Sequence, residues 1–165
     1  MTKTGAGLGD PASTRGGELV DAVMTASRVL VGIAARSLAA AGDVSLPQYR
    51  VLVLIAGRGP QRAIDVAGVL GVNPSSATRL IDRLVRAGLV RRQRSRADRR
   101  SYQVALSPQG RDLVAEVTQR RREELERLLS SLPADQHEPV IAALHAIADA
   151  AGEAPEADLA IGLGW

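Results

Sequence analysis

The chain contains no cysteine and no phenylalanine. The first absence excludes a disulfide framework, a thiolate metal site, a nucleophilic cysteine and a cysteine-based redox sensor. The second leaves Trp165, Tyr49 and Tyr102 as the whole aromatic set. A core must therefore be assembled from Ala, Leu, Val and Ile, which suits helix–helix packing. Base-stacking RNA platforms, which need exposed aromatic rings, are disfavoured. No apolar run approaches the roughly 20 residues of a membrane helix. Residues 1–17 are polar and Gly-rich and lack the apolar stretch of a secretory signal, so a cytoplasmic protein without membrane attachment is expected. Lysine is nearly missing too: 20 of the 21 basic residues are Arg, the exception being Lys3.

What is present is average in amount and uneven in distribution. The 165 residues, 45% hydrophobic and 24% charged, suit one compact domain or one subunit of a small oligomer. Residues 73–111 hold ten Arg and only two acids, Asp82 and Asp98, a local balance of +8. The remainder holds eleven basic and sixteen acidic residues, a balance of −5. Codon bias favours Arg throughout a chain and cannot sort charge along it. A basic block on an otherwise acidic protein is the electrostatic signature of a polyanion binder.

Hydrophobic periodicity predicts helices with one hairpin. Residues 1–17 read as an arm. Apolar residues from Leu19 to Leu38 recur at three- and four-residue steps, a helix over 18–41. Ser45, Pro47 and Gln48 form the capping signature of a second helix. A short third helix over 62–70 has Ile64, Val66, Ala67 and Leu70 inward and ends at Gly71. Asn73 and Pro74 open a fourth, whose Ala77, Leu80, Ile81, Leu84 and Val85 make an amphipathic stripe. Two short helices across a tight turn are a helix-turn-helix. Period-two stretches at 89–94 and 102–106 flank a polar loop and form a hairpin. Ser107 and Pro108 cap a long helix, and a last one starts near Pro133 or Asp135 and carries Val140, Ile141, Leu144 and Ile147. The tail from Gly152 contains a conspicuously apolar stretch, Leu159 to Trp165.

The resulting fold class is mostly α with a small β-hairpin wing: a winged helix-turn-helix domain over 45–106 and a helical region over 18–44 and 107–151, to which the family resemblance named below assigns dimerisation. The tail is 152–165. A helix of this kind enters the major groove with its N-terminal half against base edges. Opposite the apolar stripe lie Ser75, Ser76, Arg79, Asp82, Arg83 and Arg86, with Thr78 at the edge. Arg79 is placed to fork onto a guanine; Arg83 and Arg86 suit phosphates or a brace for the wing. Asp82 and Arg86, spaced i, i+4, could instead simply pair on a solvated face. At the wing tip Asp98 is expected to orient an Arg or cap the turn while Arg99 or Arg100 enters the minor groove.

The stretches Leu46–Leu52, Val66–Val72, Pro74–Leu84, Gly88–Arg92, Asp98–Arg100 and Leu106–Gly110 resemble the MarR family of bacterial transcription factors, in order and spacing. The resemblance implies an obligate homodimer on a pseudo-palindromic DNA operator, with Thr78 and Arg79 facing the major groove, Arg83 supporting the interface and Arg100 in the minor groove. It implies repression or occasional activation, relieved by a small aromatic or apolar anion bound between the lobes. A pocket with Tyr49 or Arg50 near its rim is the candidate effector site. The dimer core is expected from Leu19, Val23, Leu125, Leu128, Leu129, Ile141 and Leu144. The family's peroxide-sensing branch requires a Cys that this chain does not have. His137 and His145, eight apart, lack partners at metal-ligand spacing, so neither a metal nor a cofactor is expected. No nucleophile–base pair, paired carboxylates or phosphate loop is present, which argues against an enzyme. Two other readings remain at this stage, a winged-helix protein–protein module and a non-specific architectural DNA binder.

Overall fold

A computed structural model describes residues 11–40, 42–95 and 101–153, with side chains from residue 14 onward. Helix α1 spans Pro11–Ala39, α2 Leu46–Arg58, α3 Ala63–Leu70 and α4 Pro74–Arg86. Strands β1 (Val90–Arg94) and β2 (Tyr102–Leu106) follow, then α5 (Pro108–Leu129), a 3-10 turn over Ala134–Gln136, and α6 (His137–Ala151). The expected mostly helical architecture with one hairpin is the one observed.

Local chemistry sets these boundaries. The Ser45 backbone N–H donates to Gln48 Oε1 at 2.9 Å, closing one arm of the anticipated capping box. Asn73 Oδ1 accepts from the Ser76 N–H at 2.8 Å, and Pro74 follows at the first helical position. Both α3 and α4 end in a Schellman motif. Gly71 and Gly88 adopt φ of +65° and +72°, and the next residue's N–H reaches back five positions: Val72 to Ala67 O, Leu89 to Leu84 O. The left-handed conformation at these two positions is what turns the chain between the paired helices and into the wing.

The hairpin is antiparallel, with Val90 opposite Leu106 and Arg92 opposite Val104. A third, one-residue strand joins it. Gln61 and Val104 exchange two backbone hydrogen bonds of 3.0 and 2.7 Å, tying the loop after α2 to the wing. Period-two reasoning could not find a bridge one residue long.

The core lies within the winged helix and against the first half of α5. Val51, Leu52 and Ile55 of α2, Val66 of α3, Ala77, Ile81 and Leu84 of α4, Val90, Val104 and Leu106 of the hairpin, and Val114 and Val117 of α5 form one cluster. Complete burial of a Leu such as Leu52 or Leu84 contributes roughly 1.5–3 kcal/mol. Gly110 lets α5 approach the wing: a Cβ there would lie 2.0 Å from the Leu89 carbonyl oxygen. Ser107 accepts from the Gly110 N–H at 3.0 Å and donates to the Gly88 carbonyl oxygen at 2.6 Å, so the same residue caps α5 and holds the end of α4.

Three expectations need correction. Helix α1 begins at Pro11 rather than near residue 18, inside the segment read as an arm. Pro11 suits a first helical position, and Gly16 and Gly17 each cost only about 1 kcal/mol in a helix, so the pair does not break it. Ile64 is 53% exposed, not inward. In α3 nearly every residue is apolar, so periodicity cannot choose the face; packing selects Val66 and Ala67. The last helix starts at His137, with residues 134–136 forming a 3-10 turn before it.

Candidate nucleic-acid interface

Helix α4 is the most clearly divided element of the molecule. Ala77, Ile81 and Leu84 are buried in the core, whereas Ser75, Thr78, Arg79, Arg83 and Arg86 are exposed. Ser76 is half-buried. At 100° per residue, Ser75, Arg79, Asp82 and Arg86 fall on one line along the helix, opposite the buried stripe.

The short polar residues are internally engaged. The Ser75 hydroxyl donates to Asn73 Oδ1 at 2.8 Å and the Thr78 hydroxyl to the Pro74 carbonyl at 2.9 Å. With their protons so used, both oxygens present lone pairs outward, suited to accept from a base amine. Among the described residues, Arg79 and Arg83 form no ion pair, leaving two guanidinium groups uncommitted on the exposed face.

Asp82 is a carboxylate in the middle of this basic line, and its partner is not the one the i, i+4 spacing suggested. Arg92 of β1 reaches Asp82 Oδ1 at 2.5 Å. Arg86 instead donates from Nε to the Asp82 backbone carbonyl at 3.3 Å. It therefore lies back along its own helix. The brace between α4 and the wing is the Asp82–Arg92 pair, half-exposed on both sides. Sequence reasoning counted Arg92 in the basic block but did not single it out. The antiparallel register and the turn at Gly88 bring it to α4. Arg91 and Arg94 are also exposed on β1, Arg94 opposite the exposed Tyr102. The wing-tip candidates Asp98, Arg99 and Arg100 lie outside the described residues.

A second feature lies on the other side of α2. A cavity of about 930 Å³ is bounded by α2 and α5, with Ala34 of α1, Val69 and Leu70 of α3 and the end of α6, and both Tyr49 and Arg50 line it, with Arg58, Arg121 and Arg122. Tyr49 is buried and carries the Arg121 guanidinium 5.9 Å above its ring, within cation–π range. The Nε of Arg121 is buried with no hydrogen-bond partner. No group of three or more His, Asp or Glu with metal-binding proximity occurs among the described residues.

All of the expected dimer residues except Leu125 are exposed in the single chain. Leu19 is 64% exposed, Leu128 and Leu129 45%, Ile141 45% and Leu144 50%; Val23 is exposed and Leu125 half-buried. Arg36 of α1 and Glu124 of α5 pair at 2.8 Å and hold these two helices together.

A helix-turn-helix with a braced two-stranded wing and a basic recognition-type helix defines a winged-helix DNA-binding regulator. Comparison with known proteins narrows the class. Residues 44–102 match the model of the MarR family. The chain is 33% identical over 98 residues to the HTH-type transcriptional regulator YfiV of Bacillus subtilis, covering 59% of this chain and 61% of that protein. The match thus spans about three fifths of that relative's length. Its structure is similar to that of RV1404 from Mycobacterium tuberculosis, with a TM-score of 0.79, 36% identity, and coverage of 88% of this chain and 97% of that one. It also shares the fold of Staphylococcus aureus MepR bound to an oligodeoxyribonucleotide (TM-score 0.59, 21% identity, 80% and 96% coverage). The chain belongs to the MarR family of transcriptional regulators, which are not enzymes. No described helix is long and apolar enough to cross a membrane.

Proposed function

We propose that this protein acts as a homodimer, each subunit laying α4 into the major groove of one half of a pseudo-palindromic double-stranded DNA operator. The observation that carries this reading is the pair of uncommitted guanidinium groups, Arg79 and Arg83, on the exposed side of α4, beside a wing fixed by Asp82–Arg92. Ser75, Ser76, Thr78 and Arg79 face base edges, Arg83 and Arg86 face phosphates, and the wing brings Arg99 or Arg100 toward the minor groove, where the potential is most negative. The DNA-bound form of the S. aureus relative supports the target class. A DNA target places the protein in the cytoplasm.

Dimerisation follows from the apolar faces of α1, α5 and α6. Leu19, Val23, Leu125, Leu128, Leu129, Ile141 and Leu144 would otherwise leave a long apolar surface in water, and a second copy covers them isologously. Repression is the simplest outcome of operator occupancy. Release by an apolar or aromatic anion in the Tyr49–Arg50 cavity fits its mixture of guanidinium groups and aliphatic walls.

The test is selection of bound fragments from genomic DNA by purified protein, followed by titration at several salt concentrations. A regulator prefers its operator over random duplex by about 10³-fold or more. Steep salt dependence without that preference would indicate an architectural binder, and no DNA capture would indicate a protein–protein module.

A further inference from the structure

The two faces of the hairpin are not equivalent, and one of them is turned toward the open side of α4. We propose that Arg94 and Tyr102, a cross-strand pair on the stem of the wing, clasp a backbone phosphate of the duplex that α4 enters; this rests on the DNA reading above.

Strand parity assigns the face. Side chains two residues apart share a face, and residues directly opposite across an antiparallel pair do too. Val90, Arg92 and Arg94 therefore stand with their partners Leu106, Val104 and Tyr102. Near the base this face is core: Val90, Val104 and Leu106 are buried. At Arg92 it meets α4 through the ion pair with Asp82. Arg94 lies about 7 Å beyond Arg92 along the strand, where the core has ended. Arg94 is exposed and Tyr102 is 59% exposed. Asp82 belongs to the outward line of α4 with Ser75, Arg79 and Arg86. The brace thus aims the Arg94–Tyr102 face, and not the face carrying Arg91, toward the side on which α4 is open.

The ladder fixes how near the two side chains are. The Ser95 N–H donates to the Ser101 carbonyl at 2.9 Å, and the Ser107 N–H to the Leu89 carbonyl at 3.1 Å. Bonded and unbonded pairs alternate in such a ladder, so Arg94 and Tyr102 form an unbonded pair, with Cα atoms about 4.5 Å apart. A guanidinium and a phenolic hydroxyl leave the hairpin side by side. Among the described residues Arg94 has no ion pair, and Tyr102 is the one exposed aromatic ring.

The chemistry selects the target. Both groups offer donors, and a phosphodiester offers two unesterified oxygens that only accept, whereas base edges mix donors with acceptors. The guanidinium neutralises the phosphate and the hydroxyl donates to its second oxygen. Such a contact fixes the register of the wing on the duplex and carries no base preference of its own.

The test is anisotropy of the full-length protein on its selected operator and on a random duplex across a salt series. Arg94→Gln should lower the log–log salt slope by about 0.9 on both duplexes and leave their affinity ratio unchanged. Tyr102→Phe should weaken both about two- to tenfold at an unchanged slope, because the lost hydroxyl is neutral. Arg91→Gln, on the opposite face, should keep the wild-type slope. Helical circular dichroism should be the same in all three. Silence of either Arg94→Gln or Tyr102→Phe overturns the clasp. So does a loss confined to the operator, which would make the pair a base reader, and so does an equal slope loss in Arg91→Gln, which would indicate a diffuse field. The two readings fail separately. Operator preference with silent variants sinks only the clasp, and the expected variant effects on a wild type without operator preference sink only the regulator.

Discussion

At position 79 the proposed DNA reading assigns a base-reading task to a single side chain. Arg79 is exposed, uncommitted and in line with Ser75 at the N-terminal half of α4. Its replacement by Ala is expected to weaken operator binding by about 1–3 kcal/mol and to relax preference at one base pair per half-site. Fluorescence anisotropy on operator and random duplexes checks this; equal losses on both would make Arg79 a phosphate contact only. Asp82 has the opposite sign and a different task. It cancels one positive charge on the interface and anchors Arg92. Asp82→Asn frees that guanidinium to meet a phosphate, so random-duplex binding should tighten and its log–log salt slope steepen by about 0.9, while discrimination falls. An unchanged slope would show that Arg92 stays away from DNA. Gly110 matters through volume alone. With the Leu89 carbonyl 2.0 Å from where a Cβ would sit, Gly110→Ala should cost about 1–3 kcal/mol by forcing α5 off the wing, read as a lower urea midpoint.

Among the elements, α3 and α4 show how far patterning reaches. In α4 the charged and apolar residues alternate with helical period, and the buried set Ala77, Ile81 and Leu84 is readable before any coordinates. In α3 Asp65 is the only charged residue and apolar side chains surround the rest of the helix, so only its packing against α2 and α4 excludes Ile64 from the core. The start of α3 carries a pH-dependent element. Asp65 pairs with the Arg62 guanidinium at 2.7 Å, and that hydrogen-bonded partner lowers the Asp65 pKa while Asp65 raises that of Arg62. A carboxylate whose folded pKa is depressed stabilises the fold above its unfolded value and loses that contribution as pH falls through the folded value. Asp65→Asn should therefore leave the melting temperature nearly unchanged near the acid end and lower it slightly at neutral pH, in paired melts across pH 3–7. A constant difference across the series would disconnect the pair from acid stability. The effect is small because both side chains remain substantially in water.

For the whole molecule, the decisive question is what covers the apolar faces of α1, α5 and α6. Leu128→Asp introduces a carboxylate into the proposed contact between copies, where it would be buried without a partner. Because Leu128 is 45% exposed in the single chain, the substitution should spare the winged helix and give a monomer in sedimentation. A stable dimer would move the interface elsewhere.

The sequence alone determined the helical class, the hairpin, the basic block and the exposed side of α4 that carries Ser75, Arg79, Arg83 and Arg86, because each depends on neighbours a few residues apart. Caps, Schellman glycines and amphipathic periods are local, and so they are written locally. Only the tertiary structure decided that Asp82 belongs to Arg92 rather than Arg86, that Gln61 completes the wing, that Ile64 faces outward, and that Arg121, its Nε buried without an acceptor, lines a cavity at the end of α6. Those outcomes depend on which surfaces meet in space, and long-range packing leaves no fixed interval along the chain from which to read them.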